Sequence, residues 1–324
     1  MAGPMEREYH VQYPSLVATV ITFIAGLMAH SFIIAVNVTE WLKRRPVTAV
    51  DQILTSLGVT RTCLLFLLLL DMVSFIFLRN LMNLPTQLFI YLTEHSSNLT
   101  DIWLTTLFSV VFCLKISNFD NALFLRLKIV VSRRVVPLIL ASVLVSILFI
   151  SMFCFIDHKI MSNNPVQNTT MNNTHLPEII HVYIFMAMGN SVPFLIYCTS
   201  SILLITSLCL HLRRMRCNKN VTTNLEAYYK AIKFMTFCLI CFMLRIGSNL
   251  LALHFYLQID FVWIFTILNS LPILHSIYLI CRTNKLKDHA SRILRHGTNC
   301  LFNKRGPEIG SRGPVEQNRS MRSN

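Results

Sequence analysis

The chain has 324 residues, of which 54% are hydrophobic and only 14% charged, with a formal net charge of +14. Soluble domains carry about 25% charged residues, so this chain lacks the polar cover that a soluble fold needs. Its apolar residues fall in long runs rather than short alternations, and runs of roughly 20 suffice to cross a bilayer as a helix. The composition therefore points to an all-α, polytopic membrane protein.

In chain order, residues 1–14 form a short external N-terminus, and candidate spans follow at 15–38, 52–77, 102–124, 135–156, 180–211, 232–255 and 261–281. The first span is too long for a signal-peptide core and follows Glu6 and Glu8 rather than a basic cluster, so it reads as an uncleaved signal-anchor. Residues 15–281 thus make a seven-helix membrane domain. The connection 157–179 is polar and rich in Asn and Thr, and its sequons at Asn168 and Asn172 are the expected glycosylation sites. Asn37 and Asn220 fall on the inner side, and Asn98 falls almost at the membrane. Residues 282–300 place Leu286, Ile293 and Leu294 on one side and basic residues around the rest, the pattern of an amphipathic helix on the inner leaflet. Cys281 and Cys300 flank that helix as palmitoylation sites or free thiols, and residues 301–324 read as a disordered tail.

The basic residues are partitioned. Lys43, Arg44 and Arg45, then Arg126, Lys128, Arg133 and Arg134, then Arg213, Arg214, Arg216, Lys219, Lys230 and Lys233, with the basic segment beyond Cys281, lie on one side of the spans. The other side has only Arg7, Arg79 and Lys159. The positive-inside rule then puts the N-terminus outside and the C-terminus in the cytoplasm. The basic charge reflects topology and acidic headgroups, which argues against a nucleic-acid partner. No cysteine lies well out in an external segment, so no external disulfide framework is expected.

Ionisable residues inside the spans are the functional signal, because a charge near the bilayer centre costs about 2.5–3.5 kcal/mol on insertion scales and turns towards protein or water. Arg61 lies ten residues beyond Asp51, or about 15 Å along a helix. It is expected to bond to His30, Ser270 or backbone carbonyls of the first and seventh spans, as an interhelical clamp. Asp71 is ten residues further on, too far to pair with it. Lys115 is expected two-thirds of the way down the third span, sharing a polar face with Asn118 but not with Asp120. Arg245 stands halfway along the sixth span and requires a carboxylate across the bundle or a watery cavity, and Asp71 is the one outer-half carboxylate these spans contain.

No HExxH, GxSxG or pair of aspartates at membrane depth appears, so no catalytic residue is assigned. His181 and His254 lack companions with metal-ligand spacing. No metal or cofactor is expected, and a retinal pigment is excluded because residues 261–280 contain no lysine.

Seven spans, basic inner loops and an inner-surface helix suggest a G-protein-coupled receptor, although no Asp-Arg-Tyr closes the third span and no Asn-Pro-x-x-Tyr closes the seventh. The segments "EWLKRRPVTAVDQILTSLGVTR", "LKISNF", "PFLIYCTSSILLITSLCLHLRRM" and "LPILHSIYLICRTNKLKDH" stand in order along the chain. Together they resemble the type 2 taste receptor, or bitter receptor, family over roughly residues 20–290. Departures are His30 for an asparagine, Asp120 for a small polar residue, Arg245 for an aromatic and Leu107 for an asparagine often used in ligand binding.

The resemblance implies a receptor for small bitter organic compounds that activates a gustducin or inhibitory-type heterotrimeric G protein. It implies a ligand cavity with Trp103, Thr106, Leu107 and Val110 on one wall, and Phe185, Met186, Phe265, Leu268 and Asn269 facing them. It further implies an activation network of His30, Arg61, Lys115, Asn118, Arg245 and His275, with Arg126, His211, Arg213, Lys230 and Lys233 meeting the G protein. A vomeronasal-type pheromone receptor shares this architecture. A transporter or channel is the reading from a different class, against which the lack of internal repeats and broken helix pairs counts.

Overall fold

A computed structural model describes residues 4–77, 83–117, 122–163, 175–217, 225–255 and 261–303. These fold as helices α1 (Pro4–Leu42), α2 (Ala49–Phe77), α3 (Leu84–Ile116), α4 (Ala122–Arg133) and α5 (Val135–Asn163), followed by α6 (His175–Cys217), α7 (Leu225–Phe255), α8 (Phe261–Arg282) and α9 (Asn284–Asn303). Among the described residues six segments are long and apolar enough to cross a membrane: Val17–Leu42, Ala49–Ser74, Pro85–Ile116, Val135–Ile156, Ile184–Arg214 and Tyr228–Asn249. The expected seventh span corresponds to α8, whose 22 residues reach about 33 Å. The expected glycosylation sites Asn168 and Asn172, together with Asn118, Asp120 and the tail beyond 303, lie outside the described residues.

The bundle is turned inside out relative to a soluble protein. On α5, Leu140, Leu144, Leu148 and Phe155 recur at helical spacing and are exposed, while Ser142 and Ser146 are buried. Likewise α1 exposes Val17, Ile21, Ile24 and Met28 and buries Thr19, His30 and Asn37. Such a surface suits hydrocarbon, where backbone groups must bond within their own helices and polar side chains turn inward. The chain is a multi-pass membrane protein.

Helix α3 stands in the middle, packed against α2, α5 and α6, while α1 sits between α2 and α8 and the circuit continues through α7 to α6. Its position corrects the expected third span. Helix α3 begins at Leu84 rather than at 102 and ends at Ile116, where Ser117 caps it by donating its N–H to the carbonyl of Cys113 at 2.9 Å. Residues 122–133 form the separate helix α4. The polar stretch Thr93–Asp101 resembles a loop in sequence, yet threonine hydroxyls in it and just beyond it are satisfied within the helix: Thr93, Thr100, Thr105 and Thr106 each donate to the carbonyl four residues earlier. That self-bonding lets a hydroxyl-rich helix enter the centre of the bundle.

The basic end of the bundle is fixed by local backbone chemistry. Helix α1 stops at a Schellman turn, with Arg44 at φ 54°. The Arg45 N–H bonds the Glu40 carbonyl at 3.2 Å and the Arg44 N–H bonds that of Trp41 at 2.9 Å. Pro46 then prevents the helix from resuming. Helix α2 opens with a reciprocal cap. The Asp51 N–H donates to Thr48 Oγ1 at 3.2 Å, and Thr48 donates its N–H and hydroxyl to Asp51 Oδ2 at 3.2 and 2.9 Å. The same aspartate accepts from Lys285 at 3.1 Å, and Lys285 also reaches Asn37 Oδ1 at 3.1 Å, so α9 is tied to α1 and α2 at its first turn. Leu286 is buried there, whereas Ile293 and Leu294 are exposed.

Candidate ligand and signalling site

The site grows from three positions on one face of α3. Asn98, Asp101 and Thr105 follow at intervals of three and four residues and so point the same way. Asp101 is completely buried. Its Oδ1 accepts from Arg61 Nε on α2 at 2.8 Å, and its Oδ2 accepts from Arg245 Nη1 on α7. One carboxylate therefore joins three helices. Arg61 spends its remaining donors on α8 and α3. They go to Ser276 Oγ at 2.7 Å, His275 Nδ1 at 3.2 Å, the Pro272 carbonyl at 3.3 Å and Thr105 Oγ1 at 3.4 Å. Arg245 Nη2 donates to Asn98 Oδ1 at 2.8 Å. Both guanidiniums are buried.

This arrangement revises several expectations. Arg61 is a clamp and does bond a carbonyl of the seventh expected span, but its main partner is Asp101. Ser270 instead bonds the Ile267 carbonyl, and buried His30 leaves Nδ1 without a partner. Arg245 pairs across the bundle with Asp101 rather than with Asp71. Asn98, expected almost at the membrane, has its side chain engaged within the bundle by Arg245. Lys115 falls in the last turn of α3 and is exposed, away from the cluster, because the helix ends eight residues earlier than expected.

Of the expected ligand-cavity residues, Trp103 is half-buried and Thr106 is buried, its hydroxyl also donating to the Pro193 carbonyl of α6 at 3.2 Å. Leu107 and Val110 pack onto the main apolar core. Phe185 stacks on Phe149 and Phe153 of α5, with ring centroids 4.2 and 4.0 Å apart, so its ring faces α5. Met186 is half-buried and Asn269 buried, while the side chains of Phe265 and Leu268 on α8 lie outside the described residues. Beside the cluster is a small cavity of about 10 Å³, bounded by Arg61, Arg245 and His275 with Thr105, Cys241 and Phe242. Among the described residues, none of the expected ligand-cavity residues lines it.

Three further hydroxyl contacts bind the helices: Ser109 bonds Ser200 and Ser201 at 2.8 and 2.9 Å between α3 and α6, and Thr19 bonds Thr266 at 2.8 Å between α1 and α8. Below them aromatic rings connect α7 with its neighbours. Tyr197 stacks on Phe242 at 3.9 Å, and Phe237 lies 3.9 Å from Tyr278. Arg126, Arg213, Lys230 and Lys233 are exposed at the basic end, where His211 of α6 meets Tyr228 of α7 at 4.9 Å. Asp101 stands one residue before the apolar run expected as the third span, so hydropathy does not single it out. The spacing of Asn98, Asp101 and Thr105 was the signal that would have found it.

The family described as Taste receptor protein (TAS2R) matches residues 5–298. Taste receptor type 2 member 4 of Pongo pygmaeus is 30% identical over 292 residues, covering 87% of this chain and 97% of that protein. Its Homo sapiens counterpart is 31% identical over 293 residues with the same coverage. Taste receptor type 2 member 30 of Homo sapiens is 31% identical over 287 residues, 86% of this chain and 89% of that one. A match of this extent, on a bundle whose interior ionic cluster includes the arginine expected in span two, shows that the chain belongs to the type 2 taste receptor, or bitter taste receptor, family.

Proposed function

We propose that the protein is a G-protein-coupled chemosensory receptor for small bitter-tasting organic compounds, acting through a gustducin or inhibitory-type heterotrimeric G protein. The observation that carries the reading is Asp101 on the central helix holding Arg61 of α2 and Arg245 of α7, with Arg61 also bonded to α8. A ligand settling near Trp103, two residues along from Asp101, bears on a junction of four helices. It activates to the extent that it prefers one arrangement of that junction over another. His30, Arg61, Arg245 and His275 are the proposed rearranging group, and Arg126, His211, Arg213, Lys230 and Lys233 the proposed G-protein rim.

The basic rim supports a cytoplasmic assignment for that end, an external N-terminus and glycans at Asn168 and Asn172. Helix α9, with basic residues and the exposed pair Ile293 and Leu294, is read as resting on the inner leaflet. The test is a calcium-response screen of a bitter-compound library in cells supplied with a promiscuous taste G protein. At least one compound is expected to give a saturable response that is absent from untransfected cells. Silence across the library with confirmed surface expression overturns the reading, and solute flux by the purified protein replaces it with a transporter.

A further inference from the structure

The ionic cluster carries more positive charge than it neutralises. Arg61 and Arg245 share the single carboxylate of Asp101, and among the described residues no other carboxylate forms an ion pair with either guanidinium. The partners of the remaining guanidinium donors are neutral: Asn98, Thr105, Ser276, His275 and the Pro272 carbonyl. A buried ion without a counter-charge is costly, so a surplus cation at this depth calls for a partner. A second observation concerns a residue that lines the same cavity. A guanidinium only donates, so His275 Nδ1 must accept the bond from Arg61. The neutral ring then carries its proton on Nε2, which is buried without a partner. His275 is 5% exposed and lines the cavity together with both arginines and Cys241. Among the described residues no acidic side chain lines the cavity, and its volume of about 10 Å³ is that of one small guest.

We propose that this cavity is an anion site. A halide or a single carboxylate oxygen sits against Arg245 and Arg61, takes the His275 Nε2–H bond and balances the cluster. The site is separate from the Trp103 wall, and the inference does not depend on which agonist acts there. The anion's source is either a free inorganic ion or the acid group of an organic compound, and the chemistry of recognition is shared.

The test uses the purified full-length protein in nanodiscs, with its unfolding temperature followed at constant ionic strength. Chloride, acetate or benzoate is titrated against the bulky anion lactobionate. The expected result is a saturable rise in unfolding temperature with a small anion. A rise with chloride and acetate identifies a free inorganic or small ion, and a rise with benzoate alone identifies an organic acid. Arg245→Gln, which leaves Arg61 and Asp101 matched one to one, should abolish the rise. Asp101→Asn, which leaves two unmatched cations, should lower the half-saturating concentration by about tenfold or more. The proposal is overturned if every anion gives the same unfolding temperature at equal ionic strength, or if Arg245→Gln responds like the parent. The anion series on the parent protein decides the matter even where a variant fails to fold.

Discussion

Replacing Asp101 by Asn changes almost no volume and removes one charge, so its effect isolates the electrostatics of the cluster. The carboxylate accepts two charge-assisted bonds, one from Arg61 Nε at 2.8 Å and one from Arg245 Nη1. An amide keeps one acceptor, and its NH2 faces the other guanidinium, donor against donor. With charged hydrogen bonds worth about 1.5–3 kcal/mol each, loss of one bond, with the buried guanidiniums left without a counter-charge, puts the cost at about 3–5 kcal/mol, the range for breaking a buried ion pair. For a chain of this length that corresponds to a fall in Tm on the order of 10 °C. Arg245→Gln loses one bond at Asp101 and one at Asn98 but also removes the surplus charge, so its expected cost is only about 1–2 kcal/mol. The assay is unfolding in detergent with a thiol-reactive dye, since Cys113, Cys238 and Cys241 are buried and become reactive as the bundle opens. A Tm loss for Arg245→Gln equal to or greater than that for Asp101→Asn refutes the surplus-cation reasoning.

Trp103→Ala should shift the agonist dose–response curve rightward by about tenfold or more, equivalent to about 1.4 kcal/mol, with surface expression unchanged. An unmoved curve removes Trp103 from the ligand wall. Arg44→Gly should raise Tm, because a non-glycine residue in the left-handed region costs about 1–2 kcal/mol and the Schellman turn holds Arg44 at φ 54°; a lower Tm contradicts that account. Gly189→Ala puts a Cβ 2.5 Å from Phe149 Cε1, so Tm should fall by the equivalent of about 1–3 kcal/mol. The double variant with Phe149→Leu should recover part of it, and a double variant as unstable as the single one rules out that clash.

Much of the architecture was legible because lipid imposes simple demands on sequence. Apolar runs marked the helices, the lysines and arginines marked one end, and Arg61 and Arg245 were expected inside and are buried there. The carboxylate that joins them was not legible. The first half of α3 is rich in hydroxyls, amides and acids, which by hydropathy alone reads as a loop. Only the surrounding helices make such a stretch a core element. The same boundary error placed Lys115 at membrane depth, although the helix stops at Ile116 and leaves that lysine exposed. The expected ligand wall fared unevenly for a related reason. Helical spacing groups Trp103, Thr106, Leu107 and Val110 on neighbouring turns, yet it cannot say that Leu107 and Val110 meet the core or that the Phe185 ring turns to α5.

That one acid serves two bases on helices far apart in sequence also has a consequence for how the chain enters the membrane. During synthesis the helix with Arg61 reaches the bilayer first, and its charge is met as soon as the next membrane helix delivers Asp101. The two therefore suit entry as a matched hairpin. The helix with Arg245 arrives much later, when that acid is already engaged. Its guanidinium is therefore matched only once α7 has packed against the earlier pair. Truncated chains ending before α7 should accordingly be retained in the membrane, whereas α7 expressed alone should slip out.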